Sequence, residues 1–99
     1  MLETTQDFSG GELCEMVVIE NQRGLHARAA AKFARAAEAF QAEVDIVRDD
    51  TRVSARSIMG LMMLAATCGT RIKVCARGED AEAAVATLTD LVKRGFDED

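Results

Sequence analysis

The only histidine of this 99-residue chain, His26, lies two residues after Gly24 and directly before an alanine-rich run, residues 27–40. The run predicts a helix, so His26 stands at a helix N-terminus, where backbone N–H groups without helical partners favour an incoming anion. Arg28 adds a planar cation that suits phosphate oxygens. A neutral imidazole nitrogen is a nucleophile at pH 7. Together these groups predict a small site that can hold a phosphoryl group, although a lone histidine before a helix can also be an ordinary surface residue.

Cations accompany this candidate site. Lys32 and Arg35 follow Arg28 at i+4 and i+7, which places all three on one side of the predicted helix. Arg56 directly precedes Ser57, at the start of a second predicted helix. In an acidic protein, such a cluster favours docking to acidic surfaces of partner proteins. The alternative is a helix face that is simply solvated.

The second predicted helix runs from Ser57 to about Thr67 and is expected to be closed by Gly69. Ser57 suits its N-cap position whatever else it does. We expect Leu61 and Leu64 in the core. The other large apolar side chains cannot all point inward, so part of them forms an exposed, adaptable patch drawn from Ile58, Met59, Met62 and Met63. The first three of these are predicted partner contacts.

The elements that position these residues alternate between strand and helix periodicity. Strand patterns occupy residues 12–20, 43–46, 52–54 and 72–76, and helix patterns occupy residues 27–40, 57–67 and 81–91. Glu79 or Asp80 is expected to cap the last helix. The order β-α-β-β-α-β-α predicts a two-layer α+β domain with three helices on one face of an antiparallel sheet. We assign residues 1–11 to a flexible tail and residues 12–99 to this single domain.

Charge and hydropathy exclude several classes of function. The net charge of −5 argues against nucleic acid as a partner, since binding to a phosphate backbone needs basic excess. The longest apolar stretch, residues 58–68, is too short to cross a membrane. No secretory signal is visible at the N-terminus, so we expect a cytoplasmic protein.

Three cysteines in a cytoplasmic chain predict reduced thiols that fill space, rather than a disulfide framework. A zinc site built from Cys14, Cys68, Cys75 and His26 is conceivable. However, the chain has no C-x₂-C pair and its spacings match no structural zinc pattern. We therefore predict no metal site and no cofactor.

Three segments in succession resemble the HPr family, the small histidine phosphocarriers of the bacterial phosphoenolpyruvate-dependent phosphotransferase system. The segments are Gly24-Leu25-His26-Ala27-Arg28, Ser57-Ile58-Met59-Gly60-Leu61 and Gly78-Glu79-Asp80. The resemblance extends over about residues 13–95 and implies an open-faced β-sandwich with sheet order 1-4-2-3.

By this resemblance His26 accepts a phosphoryl group on Nδ1 from phosphorylated enzyme I and passes it to a IIA-type protein. Arg28 contacts the phosphate, and Ser57 matches a serine that a kinase phosphorylates in some members. The chain is then a monomeric carrier with a covalent phosphohistidine, not an enzyme. It departs from the family at Ala29, where a proline is frequent, and at Arg23, where sugar-branch members commonly have asparagine.

The ending, residues 93–99, and the segment 24–40 look like nitrogen-branch members, called NPr, which relay phosphate to a regulatory IIA protein. Two alternatives stay open. One is a sugar-branch HPr. The other is a regulatory binding protein without carrier activity, controlled by phosphorylation of Ser57, although such a protein has no need of His26 with Arg28.

Overall fold

A computed structural model describes residues 11–98, so the tail predicted for residues 1–11 lies outside it except for Gly11. The elements follow the predicted order, with a short C-terminal turn added. They are β1 (Leu13–Val18), α1 (Ala27–Ala37), β2 (Glu43–Arg48), β3 (Thr51–Ser54), α2 (Ile58–Met63), β4 (Arg71–Arg77), α3 (Ala81–Lys93) and a 3₁₀ turn (Gly95–Asp97), here the C-terminal turn. Within residues 11–98, no helix combines the length and the apolar character needed to cross a membrane.

The four strands form one antiparallel sheet in the order β1-β4-β2-β3, which confirms the predicted topology. Alternate side chains of the strands are buried beneath the helices, as the period of two requires, and these include Val17, Val44, Ile46, Ile72 and Val74. Their neighbours Met16 and Lys73 project from the opposite, open face and are exposed. The two-layer architecture with one open face is therefore confirmed.

The helix that begins at His26 packs through the stripe its sequence predicts. Ala30, Phe33, Ala34 and Ala37 of α1 are all buried. Because alanine is small, α1 can lie close to its neighbours, and Phe33 supplies most of the apolar volume on this face. The stripe fixes the rotation of α1 about its axis and hence the direction in which its first turn points.

Helix α2 is shorter than the sequence indicates. It ends at Met63, after six residues, because Ala65 adopts a left-handed conformation with φ of 53°. The guanidinium of Arg48 donates to the Leu64 and Ala65 carbonyl oxygens at 2.8 and 2.9 Å, which satisfies acceptors that a helix end leaves open. The prediction that Gly69 closes α2 is wrong, since its N–H donates to the Ile19 carbonyl in the turn before β4.

Asp80 occupies the N-cap position of α3, but its side chain makes no cap hydrogen bond. Its carboxylate instead accepts from the backbone N–H groups of Gln41, at 2.9 Å, and Ala42, at 2.8 Å. The bond from Gln41 foremost, and then that from Ala42, hold the pKa of Asp80 below its ordinary value against the opposing effect of burial. Asp80 thus ties the loop after α1 to the loop before α3.

The expectation of three reduced thiols is wrong for two of the cysteines. Cys14 and Cys75 form a disulfide, with Cα atoms 4.0 Å apart. The reason is the strand register, which sets Cys14 directly opposite Cys75 on the neighbouring strands β1 and β4, with both side chains on the open face of the sheet. Their separation of 61 residues along the chain gives no hint of this pairing.

The four residues of the conceivable zinc set lie at different places in the fold. Cys14 and Cys75 are bonded to each other on the open face, next to Glu12. Cys68 is an exposed free thiol whose Sγ–H faces the Glu20 carbonyl at 3.6 Å. His26 begins α1, on the helical layer.

Candidate functional site

The backbone before α1 fixes the position of His26. Gly24 adopts a φ of +68°, and a Cβ atom there would lie 2.5 Å from the Ala66 carbonyl oxygen, so only glycine fits. The N–H of Leu25 donates to the same Ala66 oxygen at 2.9 Å. His26 is then the N-cap of α1, in extended backbone, and its carbonyl accepts the first helical hydrogen bond from Ala30. The predicted placement of the histidine at a helix start is confirmed.

The two ring nitrogens of His26 have different surroundings. Nδ1 accepts a long hydrogen bond of 3.2 Å from the backbone N–H of Arg28, in the first turn of α1. Nε2 lies 2.5 Å from Oε2 of Glu98. Nδ1 therefore faces the free amides of the helix start, where an anion is stabilised, and Nε2 faces a carboxylate.

Glu98 is itself held from a second side. Its Oε1 accepts from Nδ2 of the buried Asn21 at 2.9 Å, and Asn21 also donates to the Gly24 carbonyl at 2.8 Å. Burial acts to raise the pKa of Glu98, but the hydrogen bonds from Asn21 and His26 and the nearby charge of Arg23 prevail and lower it. Glu98 is thus ionised at neutral pH.

The C-terminal turn delivers Glu98 to the ring. Phe96 is 1% exposed and packs edge-on against Phe33 of α1, with ring centroids 6.5 Å apart and an interplanar angle of 70°. Its φ of 58° is unusual for a bulky residue and reverses the chain toward the helix start. Lys32 donates to the Phe96 carbonyl at 3.2 Å and lies 3.5 Å from Asp97.

An open depression of about 410 Å³ adjoins Glu98 and the first turn of α1. Three cations, Arg23, Arg28 and Lys32, line it together with two carboxylates of the C-terminal segment, Asp97 and Glu98. Arg28 and Lys32 thus lie beside the carboxylate that contacts the histidine, and their role toward a phosphoryl group stays a prediction.

Asn21, Phe96 and Glu98 were not found among the candidate residues from sequence. The only signals for them are weak. Gly95, before Phe96, marks a turn. The acidic Glu98 follows, but no helix or strand periodicity relates its position in the sequence to that of His26. Their importance depends on a contact between residues 72 positions apart.

Arg56 is not gathered around the histidine with the other cations. Its guanidinium donates to the Phe40 carbonyl, beyond the end of α1, at 3.2 Å. The chain after α2 reaches Leu25 through Ala66, so α2 runs back toward the site and its end, not its start, borders the histidine loop. Arg56, at the start of α2, therefore does not join the cation cluster that the sequence predicts at the histidine. Arg35 lies in the last turn of α1, at the opposite end of this helix from His26.

Ser57 is the N-cap of α2, and its hydroxyl oxygen accepts from the Gly60 N–H at 2.9 Å. Leu61 and Leu64 are buried, as expected. The exposed fractions of the other large apolar side chains of α2 are 42% for Ile58, 70% for Met59, 40% for Met62 and 78% for Met63. They form a contiguous set on a short helix beside α1, here called the methionine patch. The exposed patch that the sequence predicts is present.

Comparison with known proteins gives one consistent family. The family model described as the PTS HPr component phosphorylation site matches residues 14–94. The phosphocarrier protein HPr of Neisseria meningitidis serogroup A is 46% identical over 86 residues, which cover 87% of this chain and 97% of that protein. The phosphocarrier protein NPr of Shewanella violacea is 44% identical over 87 residues, or 88% and 96% of the two chains.

Solved structures agree with this result. The crystal structure of HPr-C-His from Thermoanaerobacter tengcongensis is 38% identical, covers 88% of this chain and 98% of its own, and superposes with a TM-score of 0.83. The crystal structure of an HPr dimer from the same organism is 37% identical in sequence. The match covers 99% of this chain and 100% of that chain, with a TM-score of 0.70. The monomeric state expected for this chain stays a prediction.

Proposed function

Because the chain belongs to the HPr family of phosphocarrier proteins of the phosphotransferase system, we propose that His26 is the residue that carries the phosphoryl group. The observation behind this proposal is the environment of Nδ1, which lies at the amides of a helix start and whose lone pair accepts only a long bond of 3.2 Å from the Arg28 N–H. Phosphoryl transfer needs mainly positioning and stabilisation of charge, and these groups supply both.

The reaction is two successive phosphoryl transfers, one onto His26 and one away from it. Phosphorylated enzyme I is the donor, and a IIA-type protein is the acceptor. Arg28 and Lys32 neutralise part of the phosphoryl charge during both steps. The helix start stabilises a bound dianion at an exposed site by only about 0.3–1 kcal/mol, which suits a group that has to be passed on.

We assign the relay to the nitrogen branch, where the acceptor is a regulatory IIA protein, and we place it in the cytoplasm. The likeness of residues 93–99 and 24–40 to nitrogen-branch members supports the branch, as does the NPr of Shewanella violacea among the relatives. Both branch names occur among the relatives, so a sugar-branch acceptor is the competing candidate.

The methionine patch and Arg35 are the proposed docking surface for enzyme I and the IIA protein. Exposed, flexible apolar side chains suit a surface that fits two partners, and a flanking cation increases the rate of encounter with acidic surfaces. Ser57 lies at the edge of this surface. A phosphate placed there by a serine kinase would therefore add negative charge where partners bind.

Charge reversal at Arg35 is expected to weaken docking and leave the chemistry intact. In Arg35→Glu, the concentration of carrier needed for half-maximal phosphorylation by enzyme I should rise about tenfold at low salt, with an unchanged maximal rate. The rise should shrink at high salt, because ions screen the interaction. Lys73→Glu is the matched control, since Lys73 is exposed on the open face of the sheet. Equal behaviour of the two variants would exclude Arg35 from the docking surface.

The function itself is tested with the wild-type protein, phosphoenolpyruvate and enzyme I of either branch. We expect a single phosphoryl adduct by intact mass, lost after brief acid treatment as phosphohistidine requires. Subsequent addition of a nitrogen-branch IIA protein should remove the adduct faster than addition of a sugar-branch IIA protein. A folded sample that acquires no adduct from either enzyme I would contradict the carrier function.

A further inference from the structure

We propose that Glu98 is a positioning residue for phosphoryl transfer, which keeps the proton of His26 on Nε2 while the phosphoryl group arrives at and leaves Nδ1. This inference rests on the proposed function of His26 as the carrier. It assigns a role to the C-terminal turn.

Two contacts select the same form of the imidazole. An ionised carboxylate only accepts hydrogen bonds, so the 2.5 Å contact with Glu98 Oε2 requires a proton on Nε2. The backbone N–H of Arg28 only donates, so its bond to Nδ1 requires a bare nitrogen there. In a neutral imidazole these are one and the same tautomer, in which the Nδ1 lone pair, held only by the long bond from the Arg28 N–H, is available for attack on phosphorus.

The carboxylate is fixed well enough to act in this way. Asn21 binds its other oxygen, and Asn21 is in turn fastened to the Gly24 carbonyl. Burial of Phe96 against Phe33 anchors the preceding turn. Arg94 reinforces that turn by donating from Nε to Asp97 at 2.8 Å. The ring and its carboxylate partner are only 18% and 22% exposed, so water competes weakly for the contact.

The step balances without any external base. The Nδ1 electron pair forms a bond to phosphorus while the bond between phosphorus and the donor histidine breaks, and that pair returns to the donor ring. The ring of His26 then carries positive charge and retains its proton on Nε2, where Glu98 stabilises it. In the outgoing step the pair returns to Nδ1, and the ring leaves as neutral imidazole. Without the proton on Nε2 the leaving group would be an imidazolate anion, which leaves slowly.

Among the described residues, no other charged side chain hydrogen-bonds Nε2, although the charge of Arg23 acts on Glu98 itself. Arg23, Arg28 and Lys32 line the depression, and Asp97 is engaged by Lys32 and Arg94. Among the described residues that face His26, Glu98 is the carboxylate in hydrogen-bond contact with the ring.

The proposal is tested by comparing Glu98→Ala, Glu98→Gln and the wild-type protein. In the unphosphorylated wild type, ¹⁵N chemical shifts of the His26 ring should report the tautomer with hydrogen on Nε2, and Glu98→Ala should show a mixture of both tautomers. Transfer from the phosphorylated carrier to a IIA protein should be about tenfold slower in Glu98→Ala, because more of the phosphorylated ring then lacks the proton on Nε2 and would have to leave as imidazolate. Glu98→Gln retains one acceptor of the same shape, so we expect an intermediate rate.

Glu38→Ala is the matched control, because Glu38 is an exposed carboxylate at the far end of α1. It should keep both the wild-type tautomer and the wild-type rate. An unchanged tautomer and rate in Glu98→Ala would overturn the proposal, and if that variant does not fold, the same result in Glu98→Gln would do so. The ring measurement needs no phosphoryl donor, so it separates a failure of this inference from a failure of the carrier function.

Discussion

Replacing His26 with alanine is expected to abolish the phosphoryl adduct completely, even at high enzyme I concentration and long incubation. His26 supplies the only imidazole ring of the chain, so no other residue can form phosphohistidine. The fold should survive, because the lost cap interaction with the Arg28 N–H is worth about 1 kcal/mol. Intact mass before and after acid treatment measures the result, with circular dichroism to verify folding.

Ser57→Ala is the matched control for this experiment. It removes the other candidate phosphorylation site and a comparable cap hydrogen bond, from Gly60, but it leaves the imidazole in place. It should acquire the acid-labile adduct as the wild type does. An acid-labile adduct that persists in His26→Ala would place the phosphoryl group elsewhere and exclude the proposed chemistry.

Replacing Phe96 with alanine is expected to lower the free energy of unfolding by about 3–5 kcal/mol, the range for truncation of a buried aromatic side chain. Phe96 is 1% exposed and contributes an edge-on contact with Phe33, although it lies only three residues from the chain end. Its left-handed backbone costs about 1 kcal/mol or more, and burial of the ring offsets this cost. Urea unfolding followed by circular dichroism measures the difference.

Phe40→Ala provides the comparison for this effect. Phe40 is only partly buried at the edge of the core, so the same truncation there should cost clearly less. A loss below about 1 kcal/mol in Phe96→Ala would show that the C-terminal turn is not anchored through its aromatic ring. It would also remove the physical basis for the fixed position of Glu98.

Local patterns were sufficient to predict most of the fold. The i, i+3, i+4, i+7 stripe of Ala30, Phe33, Ala34 and Ala37 predicts the buried face of α1, and the structure confirms it. Alternation of Val44 and Ile46 with polar neighbours predicts β2 in the same way. These features depend on residues close in sequence, where a period of 3.6 or 2 expresses the geometry directly. The sheet order required the family resemblance, because no local pattern specifies which strands are neighbours.

The features that could not be predicted all depend on contacts between distant residues. The disulfide requires the register of β1 against β4, and Glu98 reaches His26 only because Phe96 turns the chain. The early end of α2, at the left-handed Ala65, is accompanied by hydrogen bonds from Arg48 of β2 to the Leu64 and Ala65 carbonyl oxygens. The histidine and its helix were therefore accessible from sequence, whereas the carboxylate on its second nitrogen was not.

The Cys14–Cys75 bond closes a covalent ring that contains His26, Arg28 and Ser57. A single backbone break inside that ring, for example at the exposed Arg52 of the β2–β3 hairpin, would cut the chain without separating its pieces. The two fragments would migrate as one species on a denaturing gel until a reductant is added. Proteolytic damage to the segment that carries the site would thus stay hidden on a denaturing gel run without reductant, whereas intact mass would reveal the added water.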